Sequence, residues 1–524
     1  MRQPTPNPQM VKFKHARALQ KAGKVKQAIS EYRALILIAP KMAEAHFQLA
    51  RLLIGELEYS KALNHLEVAR KYAPLEKSVW RQTLHALNEA NDLSRTQSVV
   101  KEVGSGPLDK ASKAVLWIDL SQTLINLGDT KLAIKLCRDA QKVFPKQEQP
   151  TRMIARAHLH AGDFDKTAAS CRSAIKINPG STDAYLGLAK VHKFKIDDPE
   201  LQDMKALLKT ELTEVDTVTL NFALGKAHDD IKDYDTAFAH YKAANECCRK
   251  LSPFNFDEHK RVLSAMRSTL DNYDFEELAK AGKPDRLPIF ITGSARSGTS
   301  LVEQILSRHP DVTSAGETEW FTRARTRSLQ SKIMDDGDLS RDLSSAISAL
   351  GETYLAQARE RFPDAKYVTD KAIFNYRYLG PLAAALPNAP IIILRRDPRD
   401  TATSCYRNMF RYGTHLYSND LADLGRHLVD FEKFVRYWSE KLPNRFLEVD
   451  YSELTKDPEP QAKRILDYCG LEWDPNVLTP GKSEYQVRTL SIVQARQPIN
   501  SKSVASWKRY EKHLGPLFDA LESD

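Results

Sequence analysis

The stretch ITGSARSGTS, residues 291–300, places Gly293, Gly298 and Ser300 in the register of the phosphate-binding pattern G-x-x-x-x-G-K-[ST]. Thr299 occupies the lysine position of that pattern. LPIFITG before it is a short apolar run, and SLVEQILSRH after it has helical spacing. The stretch therefore predicts a strand, a loop and a helix, the first unit of a parallel α/β domain. Its backbone N–H groups and the helix N-terminus predict an anion cradle, with Arg296 as a forked donor.

The absent lysine argues against hydrolysis of ATP or GTP, because that lysine normally neutralises the β- and γ-phosphates. No clear Walker B carboxylate follows either, since the apolar run IIIL ends in Arg395-Arg396-Asp397, with two basic residues ahead of the acid. A ligand with a 5′-phosphate and a different leaving group fits better. A magnesium-dependent P-loop kinase or NTPase is the less favoured alternative.

A second basic motif, ILRRDPRDTATSCYRNMF, spans residues 393–410. Arg395, Arg396 and Arg399 cluster at the end of a predicted strand, and Ser404 lies on the helix that begins there. The motif predicts a second phosphate site, placed where α/β sheets bind ligands. A salt-bridge cluster with the neighbouring aspartates is the structural alternative.

The rest of this half fits a parallel sheet covered on both faces, because Ile391–Leu394 is continuously apolar. Further strands are predicted at 366–370, 389–396 and 445–451, and helices at 340–362, 376–386, 398–410, 420–440 and 458–469.

The N-terminal half repeats one pattern, a small residue twelve positions before a closing proline. The pairs are Ala28/Pro40, Ala62/Pro74, Ala133/Pro145 and Thr167/Pro179. The first two anchors lie 34 residues apart, as do the last two, which is the tetratricopeptide period. Weaker copies near Thr96 and Asp203, and one at Ala237, predict about seven helix hairpins in an α-solenoid. Gly23, Gly128 and Gly162 are predicted in the turns of these hairpins.

We therefore predict an α-solenoid followed by a P-loop-like α/β domain. The expected boundaries are a frayed arm at 1–8, repeats at 9–250, a helical cap and linker at 251–285, and the α/β domain at 286–524.

Length, composition and cysteine content indicate which class of protein this chain belongs to. The 524 residues exceed one ordinary core, and no apolar run is long enough to span a bilayer. The first residues lack the apolar region of a secretory signal, and the six cysteines form no C-x-x-C motif. These features predict a cytoplasmic protein with reduced thiols. A net charge of +9 without a dense basic run does not favour nucleic-acid binding.

The two anion motifs, in this order, resemble those of the sulfotransferase superfamily. The resemblance is nearest to the branch that contains protein-tyrosine sulfotransferases and bacterial tetratricopeptide-repeat sulfotransferases, and it covers residues 287–510. It implies the donor 3′-phosphoadenosine-5′-phosphosulfate (PAPS) and an acceptor hydroxyl, with no metal.

The resemblance also implies roles for particular residues. The 5′-phosphosulfate would be held by Arg296, Ser297, Gly298, Thr299 and Ser300, the 3′-phosphate by Arg396 and Ser404, and the cofactor also by Tyr451. The segment RTLSIVQARQPINSKSVASWKRYE would fold over the nucleotide, with contacts from Ser491, Gln494, Arg496 and Lys502. One departure concerns an arginine of the tyrosine-sulfotransferase branch, whose position is Asn408 here. Arg407 and Arg411 are the candidate substitutes.

Sulfuryl transfer to a hydroxyl needs a base and stabilising positive charge. Glu317, in SAGETEWF, matches the family's base, and Lys371, in VTDKAIFNY, resembles its catalytic lysine, with Arg296 as a second stabiliser. Glu319, His309 and His415 are weaker candidates for the base. The structural alternatives are a solvated glutamate and a surface pair of Lys371 with its neighbour Asp370.

The sequence leaves the acceptor open among a peptide tyrosine, a glycan hydroxyl and a lipid-linked sugar. The concave groove of the repeats could hold a protein or glycan acceptor, or it could serve a homodimer. A repeat scaffold with a degenerate nucleotide-binding domain is the non-enzymatic alternative.

Overall fold

The computed structural model describes residues 7–330, 343–411, 413–479 and 498–523. The chain forms two compact units, residues 1–181 and residues 182–524. None of the helices within the described ranges is both long and apolar enough to cross a membrane.

The first unit is a series of helix hairpins. Its helices are α1 (Pro8–Lys21), α2 (Val25–Ile38), α3 (Ala43–Gly55), α4 (Tyr59–Tyr72), α5 (Lys77–Ala90), α6 (Leu93–Ser105), α7 (Lys110–Leu127), α8 (Thr130–Val143), α9 (Gln149–Ala161) and α10 (Phe164–Ile177). The predicted anchors Ala28, Ala62 and Ala133 are completely buried, and so is nearly all of Thr167. A small side chain at this position lets two helices approach closely, which explains why a small residue recurs in each repeat.

The predicted turn glycines are also confirmed. Gly23, Gly128 and Gly162 have φ angles of +73°, +92° and +81°. This left-handed backbone suits a residue without a Cβ, and it reverses the chain between the two helices of a hairpin.

The second unit begins with further helices. They are α11 (Thr182–Ala189), α12 (Pro199–Leu207), α13 (Glu214–Asp230), α14 (Tyr234–Leu251), α15 (Phe256–Asp271) and α16 (Phe275–Ala279). Ala237 is fully buried on α14, as the pattern predicts. Asp203 is exposed on the short helix α12, so the weak copy placed there lacks a buried anchor. The α13–α14 hairpin lies in the same compact unit as the α/β fold.

A parallel sheet follows, and its described strands lie in the order β2-β3-β1-β4-β5. They are β1 (Pro288–Gly293), β2 (Val312–Ser314), β3 (Tyr367–Lys371), β4 (Ile391–Arg395) and β5 (Leu447–Asp450). Four of them match predicted strands. The edge strand β2 was not predicted, because three residues are too short to show an alternation.

Helices flank the sheet. They are α17 (Thr299–Leu306), α18 (Trp320–Arg325), α19 (Leu343–Arg361), α20 (Leu379–Ala385), α21 (Pro398–Tyr406), α22 (Leu421–Lys441), α23 (Tyr451–Lys456), α24 (Pro458–Cys469) and α25 (Gly515–Glu522). Short 3₁₀ helices lie at Ile373–Tyr378, Leu416–Asn419, Pro475–Leu478 and Ser506–His513, and a π-helical turn lies at Thr326–Gln330. The helix predicted at 398–410 ends earlier, at Tyr406. Because the strands are parallel, the ends of β1, β3 and β4 and the segments that follow them meet at one edge of the sheet.

Candidate active site

The loop between β1 and α17 curls because two of its residues adopt left-handed backbone. Arg296 has a φ of +65° and Gly298 a φ of +108°. The hydroxyls of Ser294 and Ser297 are buried and have no hydrogen-bond partner among the described residues. A buried hydroxyl without a partner is destabilising unless a ligand satisfies it. The loop is therefore curled and carries two buried hydroxyls that a bound anion could satisfy.

The two predicted anion motifs are joined directly. Arg296 Nε donates to Ser404 Oγ on α21 at 3.1 Å, and Arg396 Nη1 donates to the carbonyl oxygen of Arg296 at 2.8 Å. Burial, assisted by the positive charges of Arg396 and Arg407, lowers the pKa of Arg296 to about 10. Arg296 is still protonated at neutral pH. This concentration of positive charge at the sheet edge favours an anionic ligand.

The three clustered arginines of the second motif have different roles. Arg395 Nη1 donates to Glu448 at 2.8 Å, and Arg399 Nη2 donates to Asp397 at 2.6 Å. The alternative of a salt bridge to the neighbouring aspartates therefore describes Arg399, whereas Arg395 pairs with a glutamate on β5. Arg396, in contrast, turns towards the loop after β1.

Tyr451 packs against the loop and the second motif together. The guanidinium carbon of Arg396 lies 4.6 Å from the centre of the Tyr451 ring. The Tyr451 hydroxyl is hydrogen-bonded to Ser503 Oγ at 2.7 Å, and Arg396 Nη2 donates to the Ser503 carbonyl oxygen at 2.7 Å. We call residues 498–513 the cover segment; Ser503 within it contacts both Arg396 and Tyr451.

The sequence prediction for the terminal segment can be followed only in part. Lys502 is exposed and precedes Ser503, which makes the contacts. The other three predicted contacts lie outside the described residues: Ser491, Gln494 and Arg496.

Asp400 holds the cover segment through three hydrogen bonds. Its carboxylate accepts hydrogen bonds from the backbone N–H groups of Ala505 at 2.7 Å and Trp507 at 3.0 Å, and from Ser506 Oγ at 3.0 Å. Asp400 is 1% exposed. The sequence indicated only a salt bridge for this aspartate, because its partners are more than 100 residues away.

The structure bears on the arginine that Asn408 replaces. Asn408 Nδ2 donates to the carbonyl oxygen of Ser404 at 2.8 Å. Arg407 Nη2 donates to Asp229 on α13 at 2.5 Å. Arg407 is therefore committed to the helix hairpin, while Arg411 is exposed.

The predicted catalytic pair is in contact. Lys371 Nζ, at the end of β3, donates to Glu317 Oε1 at 2.7 Å. Lys371 is only 2% exposed, whereas the Glu317 side chain is 48% exposed. The alternative of a surface pair with Asp370 is wrong, because Asp370 is buried and accepts a hydrogen bond from the Tyr354 hydroxyl at 2.8 Å. Burial raises the pKa of Asp370 to about 7.

Glu303 is a site residue that the sequence analysis missed. It lies on α17, has no exposed surface, and its Oε2 is 3.8 Å from Lys371 Nζ. Its Oε1 accepts a hydrogen bond from Ser314 Oγ at 2.9 Å. A carboxylate on the apolar face of SLVEQIL was the available signal, because a buried acid requires a partner.

The weaker candidates for the base have other partners. Glu319 pairs with Arg323 on α18 at 3.3 Å. His309 Nε2 lies 3.1 Å from a backbone carbonyl oxygen after α24, and His415 Nδ1 lies 2.8 Å from a tyrosine hydroxyl. Glu317 is the candidate that the structure places against the buried lysine. In the parts of the chain that the structure describes, no three His, Cys, Asp or Glu side chains are grouped as metal ligands.

Gly298 provides a test of the loop. A Cβ at this position would lie 2.3 Å from Cδ2 of Tyr451. A residue with a Cβ would also be strained by the positive φ of this position. Gly298→Ala is expected to destabilise the protein by about 2–3 kcal/mol and to lower its thermal midpoint. Gly316→Ala is the matched control, since Gly316 has a φ of +74° but open space around it, and we expect a loss of about 1 kcal/mol. Equal midpoints for the two variants would contradict the close packing of Tyr451 on the loop.

Both halves of the chain are similar to known proteins. Residues 288–475 match the model of the sulfotransferase family, and residues 13–76 and 114–147 match tetratricopeptide-repeat models. An uncharacterised protein of Aquifex aeolicus (strain VF5) is 29% identical over 78% of this chain. The chain covers 54% of that protein, about half of its length.

Protein-tyrosine sulfotransferases are among the similar proteins. Protein-tyrosine sulfotransferase 2 of Gallus gallus is 26% identical over 48% of this chain and 73% of its own length. Among solved structures, the sulfotransferase domain of the Synechococcus PCC 7002 olefin synthase is 22% identical, with a TM-score of 0.31, and covers 43% of this chain and 89% of that one.

Proposed function

The chain carries a sulfotransferase-family domain behind tetratricopeptide repeats, and from this we propose that it transfers a sulfuryl group from PAPS to an acceptor hydroxyl. The proposal rests on the side chains that meet at the edge of the sheet formed by the ends of β1, β3 and β4. That edge holds the joined arginines of both anion motifs together with a buried Lys371 in contact with Glu317.

The residues at this edge fit such a donor. The buried hydroxyls of Ser294 and Ser297 and the Nε of Arg396 have no partner among the described residues, and each can donate to a phosphate oxygen. Thr299 and Ser300 lie in the first turn of α17, and the positive end of this helix also favours an anionic ligand. By position in the motifs, the 5′-phosphosulfate would lie at this loop, and the 3′-phosphate at Arg396 and Ser404.

The chemistry follows from the placement of three side chains. The donor would supply a sulfuryl group joined to its 5′-phosphate through a bridging oxygen. Glu317 would accept the proton of the acceptor hydroxyl while the new S–O bond forms in line with the S–O bond that breaks. Lys371 and Arg296 would stabilise the negative charge that develops on the bridging oxygen and the leaving phosphate.

The acceptor that we propose is a tyrosine hydroxyl of a peptide or a hydroxyl of a glycan. The half-exposed Glu317 suits a large acceptor, because such a base can be reached from the surface. The name of the Gallus gallus relative favours the peptide. We also propose that the repeats hold this acceptor. A homodimer and a cytoplasmic location stay predictions from the sequence.

A binding and turnover experiment on the full chain tests the function. PAPS at about 100 times its Kd is expected to stabilise the protein by about 2.7 kcal/mol and raise the thermal midpoint, whereas ATP with magnesium is not. Radiolabelled PAPS is then used to screen tyrosyl peptides and glycans for sulfate transfer. Stabilisation by ATP with magnesium alone would favour a kinase or NTPase. Stabilisation by PAPS without transfer to any acceptor would favour the scaffold.

Arg396→Ala is expected to weaken PAPS binding by about 10- to 100-fold, because a charge-assisted contact to phosphate is lost. Calorimetric titration of the full chain measures the Kd. The control is Arg395→Ala, one residue earlier, whose guanidinium is paired with Glu448. An unchanged Kd in Arg396→Ala would remove Arg396 from the donor site.

A further inference from the structure

The α13–α14 hairpin shares a core with the donor-site elements. The Phe238 ring of α14 stacks on Tyr406, at the end of α21, with 5.6 Å between ring centres, and on His513 of the cover segment with 4.4 Å. One buried cluster unites residues of the hairpin, α21 and the cover segment: Phe238, Tyr241, Ala402, Cys405, Tyr406, Trp507 and Tyr510. The hairpin is therefore packed into the domain that carries the site.

Asp229, at the end of α13, contacts two donor-site elements at once. Its Oδ2 accepts a hydrogen bond from Arg407 Nη2 at 2.5 Å, and its Oδ1 accepts one from the Tyr510 hydroxyl at 2.6 Å. The Arg407 guanidinium also lies 5.1 Å from the centre of the Tyr510 ring. The Asp229 side chain is 10% exposed, so these contacts are largely shielded from water and salt.

A second polar contact supports the same helix. Asn245 Nδ2 on α14 donates to the carbonyl oxygen of Tyr406 at 2.8 Å, and Asn245 is 1% exposed. The last carbonyl groups of a helix lack partners within the helix, and a side-chain donor from the hairpin satisfies this one. The hairpin therefore fixes the end of α21 by two independent contacts.

These contacts are only a few residues from the donor-binding side chains. Ser404, which accepts from Arg296, lies three residues before Arg407. Tyr510 lies in the 3₁₀ helix Ser506–His513, just after Ser503, which contacts Arg396 and Tyr451. Asp229 therefore fixes both the helix beneath the proposed 3′-phosphate and the segment that covers the site.

We propose that Asp229 is a positioning residue of the donor site, and that the hairpin of residues 214–251 is a working part of the transferase. The inference rests on the proposed function. Asp229→Asn would weaken the contact to Arg407, leave a buried guanidinium poorly compensated, and loosen Tyr510. The affinity for PAPS is expected to fall, while the contact between Glu317 and Lys371 remains.

The test compares Asp229→Asn with Asp233→Asn in the full chain. Asp233 caps α14 through Thr236 and contacts His228, so its contacts stay within the same hairpin. We expect the KM for PAPS to rise about tenfold in Asp229→Asn, with kcat and the acceptor KM nearly unchanged. Asp233→Asn is expected to lower the thermal midpoint and leave the KM for PAPS as it is.

Further variants keep the test decisive. Asp229→Glu retains the charge and is expected to recover part of the PAPS affinity. If Asp229→Asn does not fold, Tyr510→Phe is tested in its place. This variant removes only the hydroxyl that donates a hydrogen bond to Asp229. We expect its KM for PAPS to rise about threefold. An equal or lower KM for PAPS in the variant tested would overturn the positioning role. Failure of the wild-type chain to bind PAPS would instead overturn the proposed function.

Discussion

Glu317→Gln is expected to reduce the rate of sulfuryl transfer by about 100- to 10,000-fold, the usual contribution of a general base. The amide keeps the size of the side chain, and its oxygen can still accept from Lys371 Nζ, so the local geometry should survive. Because the acceptor loses its proton in the chemical step, kcat falls while the KM for PAPS changes little. Initial rates with radiolabelled PAPS at saturating donor measure the effect.

Glu319→Gln is the matched control for this prediction. Glu319 lies two residues away, is 70% exposed and pairs with Arg323. Its replacement is expected to leave the rate within about twofold, because an exposed ion pair contributes little. If Glu317→Gln kept the wild-type rate, Glu317 would not be the general base, and His415 would be the next candidate.

Lys371→Met is expected to lower kcat by about 100- to 1,000-fold, since a positive charge aimed at the transition state is lost. The same variant is expected to destabilise the fold by about 3–5 kcal/mol, because Glu303, fully buried, loses the cation beside it. Rate and thermal midpoint are both measured. Both effects are expected because Lys371 lies beside two carboxylates, Glu317 and Glu303.

A double variant separates the two effects. In Glu303→Gln with Lys371→Met, neither buried charge is left alone, so the thermal midpoint is expected to recover while the rate stays low. Lys366→Met is the control on the same segment, because Lys366 is exposed and pairs with Asp311 at 2.6 Å. Normal turnover by Lys371→Met would exclude Lys371 from the chemistry, whatever its effect on stability.

Local patterns predicted the parts of this site that are contiguous in sequence. The loop at 293–300 and the helix with Ser404 are strand-end motifs, so their side chains and their edge of the sheet follow from short stretches. Glu317 and Lys371 were predicted through a family resemblance, and the structure places them in contact.

The missed residues share a different property. Glu303, Asp400 and Asp229 act through partners that are distant in sequence, such as Lys371, 68 positions after Glu303. No local period encodes such a pair, because its existence depends on which elements the fold brings together. The exposed Asp203 illustrates the reverse error, in which a spacing was matched without the packing that gives it meaning.

The junction of α13–α14 with the α/β fold has a consequence for evolution and for engineering. Repeat arrays change by gain, loss and exchange of whole units, since each unit contacts mainly its neighbours. Here such exchange is expected to be constrained on one side: a recombinant that replaces the array would need to keep residues 182–251 with the α/β fold, because Asp229, Phe238 and Asn245 pack against it. A recombinant with exchanged repeats is therefore expected to fold best when its crossover lies near residue 181, at the boundary between the two compact units.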